Sequence, residues 1–440
     1  MISLAKRLAA AIGLMLLMAA AGGGYYAYTM LSDDPMVVSK SEEGVVVTRK
    51  SKVSLPDGGG VVTELTVGQT EEEEDLALSD EEADKVKLPF AVDYFVKNMS
   101  ADEATVCRQI YKGLTDMEET IHIKKDVISS ADICQLVVMC VTGSPEIDNI
   151  DTNYSVQVDA NGCASALTIN YTRSAEDTQT RRALTEQAID KIVAEIPLGS
   201  TDQQKFKILH DAVINRCLYY EADDDCYTAY GCLVGGNAVC EGYSKALMLL
   251  CDRVGLPCLP VIGQATNEDG TAQGHIWNKV MLDGQWYSTD VTWDDPVFES
   301  AENYLRYDYC AVTDEEMGRN HTEDENKYMK EPECTATELD YYRYYGYFAE
   351  DADEAEQAFR RAVRDAMERG DEYARIKCAD RECFDGTLDW VFGGGTGSEA
   401  LFELLQEYAE DYPDKGYDIS GYSVINNAVT FNISIRLRKD

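Results

Sequence analysis

The sequence predicts an α+β chain in which helical runs and antiparallel strand runs are segregated along its length. Three observations carry this. In 240–254, Leu247, Leu250, Cys251 and Val254 recur at i, i+3, i+4 and i+7, one buried helix face. Strand patterns at 274–282 and 285–292 are joined by Asp283-Gly284, a two-residue hairpin signal. A second strand pair, Tyr154–Val158 and Ala164–Tyr171, is joined through Asn161-Gly162.

The elements follow in order. Residues 8–31 form an uncharged, largely Ala, Leu, Met and Ile run behind Lys6 and Arg7, with Asp33-Asp34 beyond it. The run is long enough to cross a bilayer, and its flanking charges place the rest of the chain outside. We read 1–31 as a signal anchor; cleavage at Ala19-Ala20-Ala21 is the alternative reading. Residues 32–87 contain Gly58-Gly59-Gly60 and nine Asp or Glu among 71–84. That composition disfavours a packed core, so 32–87 reads as an acidic disordered tether. Two β-branched runs within it, Val45-Val46-Val47 and Val61-Val62-Thr63, could pair locally.

Residues 88–200 read as a helical and β-hairpin region. Ser100 and Glu103 form a capping box for a helix through Ile110, Leu114 and Met117. Two helices, about 178–195 and 202–217, bring the chain to a core at 201–334. In that core, helix 240–254 stops at Gly255 and Pro257, and a strand Leu259–Gly263 follows. Residues 335–440 read as a small C-terminal α/β domain. It holds a Tyr-rich segment, helices at 352–370 and 398–411, and terminal strands at 417–424 and 427–437 turning near Asn426-Asn427.

The net charge of −41, from 80 acidic and 39 basic residues, argues against nucleic acid as a partner. Fourteen cysteines with no C-x-x-C pair do not make a disulfide scaffold. Cys134, Cys140 and Cys251 lie in apolar runs and read as buried thiols. Cys217, Cys226 and Cys232 could include one bridge. No second histidine lies near His275 in the sequence, and Asp223-Asp224-Asp225 alone is weak for calcium, so neither metal nor cofactor is expected.

The chemistry concentrates in 51 residues. Cys240 opens the 240–254 helix, His275 follows in Gly274-His275-Ile276-Trp277-Asn278, and Asp290 follows in Thr289-Asp290-Val291-Thr292-Trp293. A thiol at a helix N-terminus is activated by the dipole and by a neighbouring imidazole. In the 274–292 hairpin, paired positions sum to 567, so Trp277 lies opposite Asp290. His275 is then the diagonal neighbour of Asp290 on the same face, at about 7 Å between Cβ atoms. A slip of one residue would put them on opposite faces. Nucleophile, base and orienting carboxylate are thus Cys240, His275 and Asp290. For an oxyanion, the Cys240 backbone N–H is one donor, and Tyr230, Tyr227 and Trp277 are the side chains to weigh as second donor or support. Asp294 and Asp295 read as loop-capping residues. Each group alone has a bland reading: a buried thiol, a packed imidazole, a strand-end carboxylate. Their joint order and spacing favours the triad.

The segments Gly-Asn-Ala-Val-Cys-Glu-Gly-Tyr-Ser-Lys-Ala, Gly-His-Ile-Trp-Asn-Lys-Val and Asp-Gly-Gln-Trp-Tyr-Ser-Thr-Asp-Val-Thr-Trp-Asp-Asp-Pro resemble the three core motifs of the bacterial transglutaminase-like superfamily. The resemblance spans about 205–325, including Tyr307-Asp308-Tyr309 and Thr313-Asp314-Glu315-Glu316-Met317. It implies a papain-like core, with the Cys-bearing helix packed on an antiparallel sheet that carries His and Asp. It implies a Cys240–His275–Asp290 triad forming a thioester from peptide or protein amides, cell-wall peptide among them. Hydrolysis is expected over amine transfer. In one respect the chain departs from the animal enzymes: they place a Trp before the Cys as oxyanion donor, and all four tryptophans here follow Cys240. The alternative from another class is a non-catalytic surface module binding protein or cell-wall glycopeptide. A papain-like cell-wall amidase of another lineage fits the anchor but not the Trp-Asp-Asp-Pro segment.

Overall fold

The structure is a computed structural model that describes residues 37–41, 44–54, 60–67, 76–158, 161–267, 270–295, 305–392 and 396–439. The expected anchor at 1–31 lies outside them. Among the described residues, no helix is long and apolar enough to cross a membrane. The chain divides into two units. The first comprises 1–283, 290–303 and 321–333, and the second 284–289, 304–320 and 334–440. The second therefore takes in chain from before the expected boundary at 335.

In the first unit, strands from the segment read as a tether join a larger sheet. The β-branched runs near 45–47 and 61–63 lie in strands Gly44–Ser54 and Gly60–Val67, paired antiparallel with Val53 opposite Val61. Gly60–Val67 runs parallel to Ile150–Val158, which pairs antiparallel with Ala164–Tyr171. The tether reading does not anticipate this. The acidic residues cluster after 70 and leave 44–67 rich in valine and threonine, which suit a pleated surface.

Helix termini follow local chemistry. Ser100 and Glu103 make the reciprocal capping box at Ala101–Asp116. The helix expected at 178–195 starts earlier, at Ala175, because Ser174 accepts from the Asp177 N–H. Thr201 caps Asp202–Arg216, with Gln204 returning the bond.

The functional elements lie in the rest of this unit. Helix Cys240–Val254 ends on Gly255 at φ 75°, the left-handed position a side chain would strain. It packs on helices Ala175–Val193 and Asp202–Arg216 and on strands Cys258–Thr266 and Ala272–Leu282. Strand Cys258–Thr266 is central, with Ala272–Leu282 antiparallel on one side and the short strand His321–Glu323 antiparallel on the other. Asp283 and Gly284 both have positive φ, 48° and 80°, as the expected two-residue turn requires. The following strand, expected over 285–292, ends at Thr289, and Asp290 enters a turn. The Asp290 carboxylate causes the stop: its Oδ1 accepts the N–H groups of Thr292 and Trp293, which folds the backbone out of the ladder.

The second unit holds a sheet in the order Phe348–Ala349, Tyr373–Cys378, Asn432–Lys439, Tyr417–Asn427. Helix Ala352–Arg369 packs on it, as its charge-laced amphipathic pattern predicts. A strand at Tyr373–Cys378 and a helix at Arg381–Phe392 were not expected from the sequence. The terminal turn falls after Asn427 rather than at it, because the Asn427 side chain accepts from the Val429 N–H.

None of the fourteen cysteines is in a disulfide, so Cys217, Cys226 and Cys232 are unbridged. Cys134, Cys140 and Cys251 are buried thiols, and Cys107 and Cys140 hold their sulfurs 3.4 Å apart.

Candidate active site

Cys240 occupies the first position of its helix, after Val239 in extended conformation. The first N–H groups of a helix have no acceptor within it and carry the positive end of its dipole, which favours a thiolate there. Two contacts tie this helix end to its surroundings. Gly242 permits one: a Cβ there would lie 2.5 Å from the Cys226 carbonyl oxygen and 3.0 Å from that of Thr228. Asn278 supplies the other, donating to the Ser244 hydroxyl at 2.9 Å. The Gly-His-Ile-Trp-Asn segment is therefore bolted to the Cys-Glu-Gly-Tyr-Ser segment through buried side chains.

His275 lies opposite Gly263 on the central strand. Its Nε2 is 2.6 Å from Asp290 Oδ2, so the two side chains meet, although Asp290 lies just beyond the strand that was expected to carry it. Cys240, His275 and Asp290 are each 1% exposed. Burial by itself raises the Asp290 carboxyl, but the charge of His275 and the bonds from His275 and His321 outweigh it and hold Asp290 well below the ordinary carboxylate range. Asp290 therefore stays ionised. An ionised carboxylate only accepts, so His275 carries its proton on Nε2 and leaves Nδ1 as the basic nitrogen.

His321, absent from the sequence-based site, places its Nε2 3.0 Å from the same Asp290 oxygen. Its strand pairs His321 with Ala265, two residues along from Gly263. Small residues at 263 and 265 make room on one face for His275, Trp277 and His321. Trp277 stacks on His275 with ring centres 6.1 Å apart, and Trp293 meets His321 edge-on at 4.8 Å. A Cβ at Gly263 would lie 2.1 Å from the Thr322 carbonyl oxygen and 2.7 Å from the Trp277 ring. Gly263→Val is therefore expected to cost about 1–3 kcal/mol of stability, as overpacking does, and to lower the melting temperature. Thermal unfolding checks this; an unchanged melting temperature would contradict the packing described.

The loop after Asp290 is anchored by two further groups that the sequence did not single out. Asp294 lies 3.0 Å from His210 Nε2, and Tyr243, one turn after Cys240, donates to Asp295 at 2.6 Å. The two carboxylates thus tie the loop to two helices through side chains, while the loop N–H groups of Thr292 and Trp293 go to Asp290 rather than to the expected caps Asp294 and Asp295. His210 is buried, which alone would lower its pKa, but bonds and charge from Asp211 and Asp294 raise it to about 9. Burial raises Asp295 to about 6 despite the Tyr243 bond.

The expected support residues separate. Tyr227 donates its hydroxyl to Glu221 at 3.1 Å. Tyr230 presents its ring to the Arg181 guanidinium at 4.6 Å. Trp277 is buried beside His275 with its indole N–H unpaired. Among the described residues, His275, Asp290 and His321 form one group whose ligand atoms lie within 4.8 Å, close enough to surround a metal ion. Their separations of 2.6 and 3.0 Å are hydrogen-bond lengths with the proton between the atoms. A metal there would have to spread them and would occupy the base, so the donor set fits hydrogen bonding better than coordination.

Residues 190–291 match the profile of the Transglutaminase-like superfamily. No curated protein matches the chain. One similar solved structure is a TGase, at 16% identity and TM-score 0.23, covering 35% of this chain and 53% of its own. Another is a provisionally assigned cysteine protease from Cytophaga hutchinsonii, at 13% identity and TM-score 0.21, covering 29% of this chain and 51% of its own. The chain spans about half the length of these two structures.

Proposed function

We propose that the chain, whose residues 190–291 match the transglutaminase-like superfamily profile, is a cysteine acyl-transfer enzyme acting on amide bonds of peptides or proteins, with water as the usual acceptor. The observation that carries this is the buried 2.6 Å His275–Asp290 contact on the strand against which the Cys240 helix packs. The Cys240 thiolate adds to the amide carbonyl carbon. The C–N bond then breaks, and the His275 imidazolium gives its proton to the leaving amine. The acyl group stays on sulfur as a thioester. Neutral His275 next takes a proton from water as the oxygen attacks, and collapse releases the acid and restores the thiolate–imidazolium pair. An amine in place of water would give cross-linking instead. The oxyanion has the Cys240 backbone N–H as one donor. The unpaired Trp277 indole N–H, rather than the engaged Tyr227 hydroxyl, is the side-chain donor to test as a second.

The charged-then-apolar N-terminal segment supports a location outside the membrane, anchored or released, with surface or cell-wall peptides as substrates. The acceptor is read by incubating the full chain with a surface-protein and cell-wall digest and a labelled primary amine, followed by mass spectrometry. Hydrolysis predicts addition of water or conversion of amide to acid, lost in Cys240→Ala. Incorporation of the amine at a comparable or greater rate would overturn the hydrolytic reading.

A further inference from the structure

We infer that His321 is a positioning residue of this site, holding the Asp290 carboxylate so that Asp290 can in turn hold His275. The inference rests on the reading of Cys240 as nucleophile and His275 as base. Its ground is a juxtaposition: two imidazoles from strands on opposite sides of one central strand converge on a single carboxylate oxygen. His275 Nε2 lies 2.6 Å and His321 Nε2 3.0 Å from Asp290 Oδ2. The other oxygen accepts from the Thr292 and Trp293 N–H groups at 2.9 and 3.2 Å. A carboxylate offers about four acceptor positions, and here all are occupied.

The consequence is mechanical. Asp290 sits just past a strand end, in a turn, where backbone hydrogen bonding alone leaves a side chain less constrained than in the ladder. The turn N–H groups fix Oδ1. Oδ2 holds His275, and His321 is the second donor that fixes this oxygen, from the other side of the central strand. Its ring is clamped by Trp293 and Trp277, at 4.8 and 5.1 Å between ring centres. With Oδ2 fixed, the His275 ring is held to one tautomer and one orientation, Nδ1 free for the thiol proton. A histidine serving only as core filling would have no need of a buried carboxylate already paired to another imidazole.

The substrate is unidentified, so the probe is iodoacetamide, with alkylation at Cys240 followed by peptide mass spectrometry on the folded full chain. His321→Ala is expected to slow Cys240 alkylation about 10-fold or more, in the range seen when outer partners of a functional group are removed. His321→Gln keeps a side-chain N–H at similar reach and is expected to restore most of the rate. In proton NMR, either variant is expected to show one exchange-protected downfield imidazole N–H signal fewer than the wild type, the signals of His275 and of the buried His210 remaining. Alkylation of His321→Ala at the wild-type rate would overturn the inference. So would a folded His321→Gln as slow as His321→Ala. Should His321→Ala fail to fold, the Gln variant and the N–H signals decide. If wild-type Cys240 reacts no faster than the helix-buried Cys251, the nucleophile reading itself falls, and this inference with it.

Discussion

Asp290→Asn is expected to leave the fold intact and to lower turnover about 1,000-fold to 10,000-fold, the loss typical when an orienting carboxylate becomes an amide. The physical reason lies in what Asp290 accepts. It takes four hydrogen bonds, two of them from imidazole Nε2 atoms. An amide keeps one oxygen and replaces the other with a donor, so it cannot serve both histidines and both backbone N–H groups. The retained oxygen would serve the turn, which closes locally. The NH₂ would then face His275 and His321 and force His275 to accept on Nε2 and donate on Nδ1, the wrong tautomer to take a proton from a thiol. The buried negative charge that stabilises the imidazolium is lost at the same time. Steady-state rates on a peptide mixture that the wild type hydrolyses, with circular dichroism as the fold control, check this. A loss of less than about 10-fold would mean that Asp290 does not orient the base.

His210→Ala is the substitution expected to cost most in stability, about 3–5 kcal/mol, because it withdraws a buried cation from Asp294 and leaves a charge whose partner is gone. The same group carries a pH signature. Burial opposes its protonation, but Asp211 and Asp294 raise it to about 9, above an unfolded value of about 6.5. A raised imidazole stabilises the fold in full below the unfolded value. That contribution falls as pH rises from about 6.5 and is gone above about 9. The difference corresponds to about 3 kcal/mol. Urea unfolding of the wild type is therefore expected to show falling stability across pH 6.5–9, and His210→Gln to show a flatter profile over that window. Parallel profiles would contradict the role given to His210. Loosening this anchor also frees the loop that carries Asp290, so activity is expected to fall with stability.

Much of the site was legible because a few residues carry short-range signals. Cys240 followed by an i, i+3, i+4, i+7 stripe and Gly255 marks a helix with its thiol at the first turn, and the helix runs over Cys240–Val254. Asp283-Gly284 signals a two-residue turn, which both residues form with positive φ, and His275 and Asp290, either side of it in the chain, are in contact. Where the reading stopped short, the reason was long-range packing. His321 lies 31 residues after Asp290, on a three-residue strand with no pattern of its own, and only pairing with Ala265 brings it to the carboxylate. The sequence offered only the small number of candidates, four histidines in the whole chain. The strand predicted through 292 ended at Thr289 because a side chain, Asp290, captured backbone donors that an alternation pattern assigns to the ladder. The strands at 44–67 were legible only as β-branched runs able to pair locally, because their partner Ile150–Val158 is remote in the chain.

The central claim is that Cys240 is a thiol activated by His275 and Asp290. The most direct measurement is the rate of iodoacetamide modification at each cysteine of the folded full chain near pH 7, resolved by peptide mass spectrometry. The account predicts that Cys240 reacts well ahead of the other buried thiols, and that His275→Ala and Asp290→Asn bring it down to their level. Cys240 reacting no faster than Cys251 in the wild type, or at an unchanged rate in His275→Ala, would contradict it.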